Sequence, residues 1–217
     1  MLPEVSVIVT SYNYGFWLER CLRSLINQKF IDSNSYEIIF IDDASSDNSV
    51  DVAKFYADKF PNIQLILNAT NKGLPYCCNQ AIKKSVGRFV VRVDADDYVA
   101  RDFVFLGSWF LIKNRDYQAV SCDYVEVDQN EHFIRRVNSL EEEIACGVFF
   151  KRECLFDIGL YDVNFKMREG HELRQRFEKK YKMGRLEFPV YKYRKHNNNR
   201  TKNEDELSVY DEKLSEK

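Results

Sequence analysis

Over its first hundred residues the chain repeats one unit: a short apolar run, a polar turn, then a stretch with helical spacing. Val5–Thr10 is β-branched and too short for a helix, so it predicts a buried strand. Leu18, Cys21, Leu22, Leu25 and Ile26 follow at i, i+3, i+4, i+7 and i+8, the stripe of one helix face. Glu37–Ile41 begins the second unit, with Ser45, Ser46 and Asp47 as candidate caps for a helix carrying Val50, Ala53 and Phe60. Ile63–Leu67 and a helix from Pro75 to about Ser85 make the third. Phe89–Val93 is the fourth strand. Strands alternating with helices of this length predict parallel pairing with right-handed crossovers. The fold class is therefore α/β, an open, mostly parallel sheet flanked by helices.

The second half changes character. Phe103–Ile112 reads as a helix, and Ala119–Val127 and Phe133–Val137 as strands about a turn at Gln129-Asn130-Glu131. Ile144–Phe150 is a further apolar segment, Glu169 to about Tyr181 a helix, and Leu186–Tyr193 a strand. From Asn203 the sequence turns acidic, with few large apolar residues, and predicts a frayed helix or a disordered tail. The predicted organisation is one domain over 1–202, divided into halves at 1–100 and 101–202, and an acidic tail at 203–217.

At 217 residues such a domain buries a core without disulfide staples. Thirty-two Lys and Arg against thirty-four Asp and Glu leave no basic excess, which argues against a nucleic-acid partner. No window of about 18 apolar residues occurs, so no membrane-spanning helix is predicted. The N-terminus shows no secretory leader pattern, so the six scattered cysteines are expected as buried free thiols in a reducing cytoplasm.

The polar residues after the four strands are Thr10 to Asn13, Asp42-Asp43, Asn68 to Lys72, and Asp94 to Asp97. In a parallel sheet these four sets share the carboxyl edge, where open α/β sheets bind ligands. Asp94, Asp96 and Asp97 crowd three carboxylates onto one strand end, which a hard divalent ion, Mg²⁺ or Mn²⁺, would relieve. The structural alternative is that Asp97 caps the next helix and the other two are solvated. Tyr12 is either a stacking surface for a base or an exposed turn aromatic, and Asp43 is placed to accept a hydrogen bond from a pyrimidine imide. Ser11–Phe16 contains only Gly15, so the dinucleotide fingerprint is absent, as is the P-loop.

Ser6–Asn13, Ile41–Asp47, Asn71-Lys72-Gly73-Leu74 with Asn79, Gly87-Arg88-Phe89 and Asp94-Ala95-Asp96-Asp97 together resemble the family 2 glycosyltransferases. The likeness extends through Gly147–Arg152 and Ile158–Asp162. It implies a GT-A fold and an enzyme that transfers a sugar from a nucleotide-sugar, a UDP-sugar, to a hydroxyl of a glycan or lipid-linked glycan with inversion, in bacterial surface polysaccharide synthesis. It assigns Thr10, Tyr12 and Asp43 to the uracil and ribose, Asp94 to the ribose side of the metal, and Asp96 to a Mn²⁺ or Mg²⁺ ion that bridges to the diphosphate. Lys72 or Arg88 is expected near the nucleotide. His196 falls where many such enzymes have a metal-completing histidine.

One departure concerns the base. The family has a Glu-Asp pair before a helix, whereas this chain reads Glu169-Gly170-His171-Glu172. Glu169 is the expected catalytic base, with His171 and Glu172 as alternatives. Two other readings stand beside transfer: a domain that binds UDP or glycan without turnover, and a sugar nucleotidyltransferase, which needs a glycine-rich loop that Ser11–Phe16 lacks. The basic pairs Arg135-Arg136 and Lys151-Arg152 and the run from Lys192 to Lys202 are either a peripheral membrane contact or solvated faces.

Overall fold

The computed structural model describes residues 3–197, 199 and 204–215. Its elements are β1 (Val5–Ser11), α1 (Gly15–Ile26), β2 (Tyr36–Asp42), α2 (Ser49–Lys59), β3 (Ile63–Leu67), α3 (Leu74–Lys84), β4 (Phe89–Asp94), β5 (Tyr98–Val99) and α4 (Phe103–Lys113). The second half adds β6 (Ala119–Val127), β7 (Phe133–Val137), β8 (Val148–Lys151), α5 (Arg152–Asp157), α6 (Glu169–Glu178), β9 (Met183–Arg194) and α7 (Glu204–Ser215).

One sheet runs β3-β2-β1-β4-β8-β6-β9-β5, with β7 on β6. The first four strands pair in parallel, as the βα period predicts. Beyond β4 the sheet is mixed: β8 is antiparallel to both β4 and β6, whereas β9 is parallel to β6. No helix separates β6, β7 and β8, and β6 pairs antiparallel with both of the others.

Strand alternation sorts side chains into two cores. Val5, Val7, Val9, Ile38 and Phe40 join Leu18, Leu22 and Leu25 of α1 and Phe103 of α4 on one face. Ile8, Ile39 and Ile41 join Cys78, Ala81 and Ile82 of α3 and Leu173 and Phe177 of α6 on the other. All six cysteines are buried and unbridged.

Two local expectations are corrected. Ser45 and Ser46 do not cap α2; Asp47 does satisfy its first donor, accepting from the Ser49 N–H at 2.9 Å, although the N-cap position itself is Asn48, whose side chain makes no cap bond. Instead Asn13 donates its N–H to Ser45 Oγ and accepts from the Ser46 N–H, and Gly15 donates to Asp47, tying the first βα loop to the second. The tail, expected frayed or disordered, is helical from Glu204 to Ser215. Leu207, Tyr210 and Leu214 form one stripe that packs on Phe165 and Met167, and Asp211 pairs with Arg168. Three apolar residues at helical spacing suffice because a matching patch precedes α6.

Candidate active site

β1 and β2 pair in parallel to their last residues, and the Asp43 N–H donates to Ser11 O while the Asn68 N–H donates to Asp42 O. The loops after β1, β2 and β3 thus meet at one edge, over a cavity of about 900 Å³. Thr10, Tyr12, Asp43 and Lys72 all line it. That volume suits one nucleotide-sized ligand. Tyr12 is half exposed on the wall.

Asp43 organises the floor. Its carboxylate accepts from Asn68 Nδ2 at 2.8 Å, from the Lys72 N–H at 2.9 Å and from the Gly73 N–H at 2.8 Å. Gly73 sits at φ +87°, a conformation that the absence of a Cβ permits. Three donors leave about one of the four acceptor sites of a carboxylate for a ligand. The role that the geometry displays for Asp43 is therefore loop folding first.

Arg88 is corrected. It precedes β4 and pairs with Glu4 at the amino edge of the sheet, a strand's length from the cavity. Lys72 is at the cavity wall, with its side chain exposed.

The acidic cluster is built by β4 and β9. Arg92 and Asp94 are two apart on β4 and so share a face. Arg92, only 7% exposed, donates from Nε and Nη2 to Asp94 at 2.6 and 3.1 Å and from Nη1 to Glu169 at 2.7 Å. Burial opposes the Arg92 charge, yet Asp94 and Glu169 hold its pKa above the ordinary value. One buried guanidinium thereby joins the β4 end to the first residue of α6.

Asp97 does not cap α4. It is buried, accepting from Tyr191 OH at 2.6 Å and from the Arg194 N–H at 2.7 Å. Burial first, then Asp96 and Asp94, push its carboxyl well above the usual range. Asp96 is not solvated either: its Oδ2 lies 2.9 Å from His196 Nε2. Burial again raises the Asp96 carboxyl; the His196 hydrogen bond opposes that shift and Asp94 adds to it. His196 is fixed by its ring contact with Trp17, 5.2 Å between centroids, and by its N–H donated to Asn199 Oδ1. Arg194 stacks over Trp17 at 4.6 Å and donates to Asp96 O, so β9 clamps the turn that bears the aspartates.

Two candidate cation sites compete. Asp94, Asp97 and Cys146 bring ligand atoms within 4.8 Å of one another. Asp97 is already spent on Tyr191 and Arg194, and burial pushes the Cys146 thiol far from the thiolate that binds metals. Asp96 and His196 are the better fit. Their donor atoms are 2.9 Å apart, and adjacent ligands of an octahedral ion with bonds of about 2.1 Å lie at about that separation.

At α6, Glu169 is buried and faces Arg92. Glu172 is turned away: it is buried and bidentate to Arg176 at 2.6 and 2.7 Å, which excludes it as a base. His171 Nδ1 is buried with no hydrogen-bond partner among the described residues, and burial, then Arg168, lowers its pKa. Gly170 is explained by packing. A Cβ there would lie 2.2 Å from Ala145 Cβ, so α6 approaches the 144–147 segment too closely for a side chain.

A family model described as Glycosyl transferase family 2 matches residues 6–179. The chain belongs to glycosyl transferase family 2. Among relatives, Uncharacterized glycosyltransferase YibD of Escherichia coli is 42% identical over 96 residues, 44% of this chain and 27% of that protein. Minor teichoic acid biosynthesis protein GgaB of Bacillus subtilis is 28% identical over 207 residues, 88% of this chain and 23% of that one. The chain spans less than half the length of the curated relatives it matches, between 12% and 45%. Among solved structures, S. aureus TarS 1-349 in complex with UDP-GlcNAc superposes with TM-score 0.77 at 21% identity, over 92% of this chain and 61% of that one. The mannosyltransferase PcManGT from Pyrobaculum calidifontis, in complex with GDP-Man and Mn2+, gives TM-score 0.72 at 19% identity, over 92% and 59% of the two chains. The fold is that of these GT-A glycosyltransferases.

Trp17, Arg92, Tyr191 and the cavity-lining Lys166 carry no role in the sequence reading, and Arg194 enters it only as part of a basic run. Arg92 left the clearest signal, a charge inside the otherwise apolar run Phe89–Val93.

Proposed function

We propose that this chain transfers a sugar from a nucleotide-sugar, a UDP-sugar, to an acceptor hydroxyl with inversion, in assembly of a bacterial surface glycan. The observation that carries the reading is the cavity lined by Thr10, Tyr12, Asp43 and Lys72, set in a fold that also holds a buried Asp96–His196 pair and an Arg92-linked Glu169. The complexes of TarS with UDP-GlcNAc and of PcManGT with GDP-Man and Mn2+ support a nucleotide-sugar donor. Relatives named poly(ribitol-phosphate) beta-glucosyltransferase and minor teichoic acid biosynthesis protein support a polymeric acceptor. Residues 1–100 supply the nucleotide half and 101–202 the acceptor half, with Leu207, Tyr210 and Leu214 of the tail packed on the loop before α6; of that division, 1, 2, 198, 200–203, 216 and 217 lie outside the described residues.

Tyr12 stacks on the base, and Asp43 shapes the loop against it while Lys72 adds positive charge near the phosphates. Asp96 and His196 would hold Mn²⁺ or Mg²⁺, with Asp94 beside the ribose. When bound, that ion supplies Lewis-acid neutralisation of the departing diphosphate. Glu169 takes the acceptor hydroxyl proton as that oxygen bonds to the anomeric carbon and the carbon–oxygen bond to the diphosphate breaks. Arg92 holds Glu169 Oε1, which leaves Oε2 for the proton. A single displacement of this kind inverts the anomeric centre.

The test is UDP release from UDP-GlcNAc, with GDP-mannose as the comparison donor, in the presence of Mn²⁺ and a glycan acceptor. Asp96→Asn should lower turnover at least about a hundredfold, the scale of losing one principal charge-stabilising group. Most of the activity surviving that change would sink the reading. A second reading, binding without turnover, is favoured by the packing of Gly170 on Ala145, which keeps any carboxylate from that position. Saturable UDP-GlcNAc binding with no UDP release would establish it instead.

The basic runs are mostly committed elsewhere. Arg135 pairs with Glu126 and Glu142, Arg136 with Asp123, and Lys195 with Glu126, while Arg194 is buried. Arg200 and Lys202 lie outside the described residues. No helix among the described residues is long and apolar enough to cross a membrane.

A further inference from the structure

Helix α4 buries one side in the core and leaves another bare. Phe105, Trp109 and Ile112 recur at i, i+4 and i+7, so they form one stripe on that helix. Trp109 is 48% and Ile112 38% exposed, and Phe105 is partly so. Phe30 extends the stripe: its ring lies 5.8 Å from that of Phe105, and it is 75% exposed.

Phe30 carries a second oddity. It stands at φ +64°, in the left-handed region where a bulky side chain is an outlier. A strained backbone that presents an aromatic ring to solvent is doubly unfavourable for the isolated chain. Such strain persists where it serves a contact.

Cations flank this stripe in sequence. Lys113 ends α4 and Arg115 follows it, while Lys29 adjoins Phe30 and its N–H donates to Arg101 O. All four are exposed, and none makes an ion pair among the described residues. The acidic side chains in the same stretches are Asp32, which accepts from the Asn34 N–H, Asp102, partly buried, and Asp116, so the four cations outnumber them by one. This differs from the basic runs of β7 and β9, whose charges are neutralised by Glu126, Glu142 and Asp123.

We propose that Phe30, Phe105, Trp109 and Ile112, with Lys29, Arg101, Lys113 and Arg115, form a docking surface for an anionic lipid membrane. Aromatic and aliphatic side chains sit at the headgroup boundary, and flanking Lys and Arg meet the negative surface potential. A second copy of the chain fits this face poorly. An isologous contact would set the cationic rim against itself. The chain's acidic C-terminal helix does not cover it either, being packed on Phe165 and Met167 with Asp211 on Arg168.

The test is co-sedimentation of the full chain with vesicles of phosphatidylcholine alone and of phosphatidylcholine mixed with phosphatidylglycerol. Binding is expected to the mixed vesicles and to weaken as salt rises. Lys29→Glu with Lys113→Glu should lower the partition coefficient at least about twenty-five-fold, from about fivefold for each cation near the surface. Phe30→Ser with Trp109→Ser should lower it at least about tenfold, from the apolar area withdrawn from the interface. Phe30 is largely exposed and Trp109 about half-buried, so the fold should persist with only a modest fall in melting temperature; a UDP-GlcNAc binding isotherm unchanged in the variants separates this surface from the cavity. Three results overturn the proposal: no binding to the mixed vesicles, equal binding by the variants, or a dimer that Phe30→Ser with Trp109→Ser dissolves.

Discussion

Arg92→Met tests how the two halves of the site are joined. The guanidinium is 7% exposed and holds Asp94 and Glu169 together through three hydrogen bonds of 2.6 to 3.1 Å. Met fills similar volume but leaves a buried Glu169 carboxylate, and a less buried Asp94, without a cation. Breaking a buried pair on one side costs about 3–5 kcal/mol, chiefly because the surviving charge is stranded. For a domain of this size each kcal/mol lowers the melting temperature by about 2–4 °C. Arg92→Met should therefore melt about 6–20 °C below the parent at pH 8, where both carboxylates are ionised in the unfolded chain. Glu169→Gln alone leaves Arg92 bidentate on Asp94 and should cost less. Combining Arg92→Met with Glu169→Gln removes the stranded charge and should recover a good part of the loss. The assay is differential scanning calorimetry on all four proteins. A parent-like melt for Arg92→Met, or no recovery in the double variant, refutes the claim that this ion pair joins β4 to α6.

Gly170→Ala should destabilise the fold by about 1–3 kcal/mol, the usual cost of overpacking, because its Cβ meets Ala145 Cβ at 2.2 Å; a chemical-denaturation midpoint equal to the parent's would show the approach to be looser than drawn. Asp123 offers a pH test. Although burial opposes ionisation, Arg185, bidentate at 2.8 Å, and Arg136 hold its carboxyl below the usual range. A carboxyl depressed in the folded state stabilises fully above its unfolded pKa of about 3.9 and loses that contribution as pH falls through the folded value. Asp123→Asn should be less stable at pH 7, with a shallower loss of stability below about pH 4 than the parent; parallel acid curves would contradict the assignment.

Much of this was readable in the chain. The β-branched runs Val5–Thr10, Glu37–Ile41 and Phe89–Val93 allow little but buried strands, and their polar ends then fall on one edge by geometry alone. Thr10, Tyr12, Asp43 and Lys72 do line one cavity. What escaped depends on contacts far apart in sequence. Tyr191 and Arg194 reach Asp97 across more than ninety positions, so no local pattern marks Asp97 as their buried acceptor. Charge alone does not distinguish Lys72 from Arg88, but Arg88 precedes β4 and so falls at the amino edge, on Glu4. Glu172 reads as available in the sequence, whereas in the fold Arg176, one helical turn on, occupies it. Gly170 reads as a lost aspartate in the sequence and as a steric requirement in the fold.

Diffraction from crystals grown with UDP-GlcNAc and Mn²⁺, recorded at the manganese edge, measures the central claim most directly. The expected map has an anomalous peak in bonding contact with Asp96 and His196, and the uridine stacked on Tyr12 within the cavity that Asp43 underlies. A peak on Asp94, Asp97 and Cys146 instead, or a nucleotide bound away from Tyr12, would contradict the account.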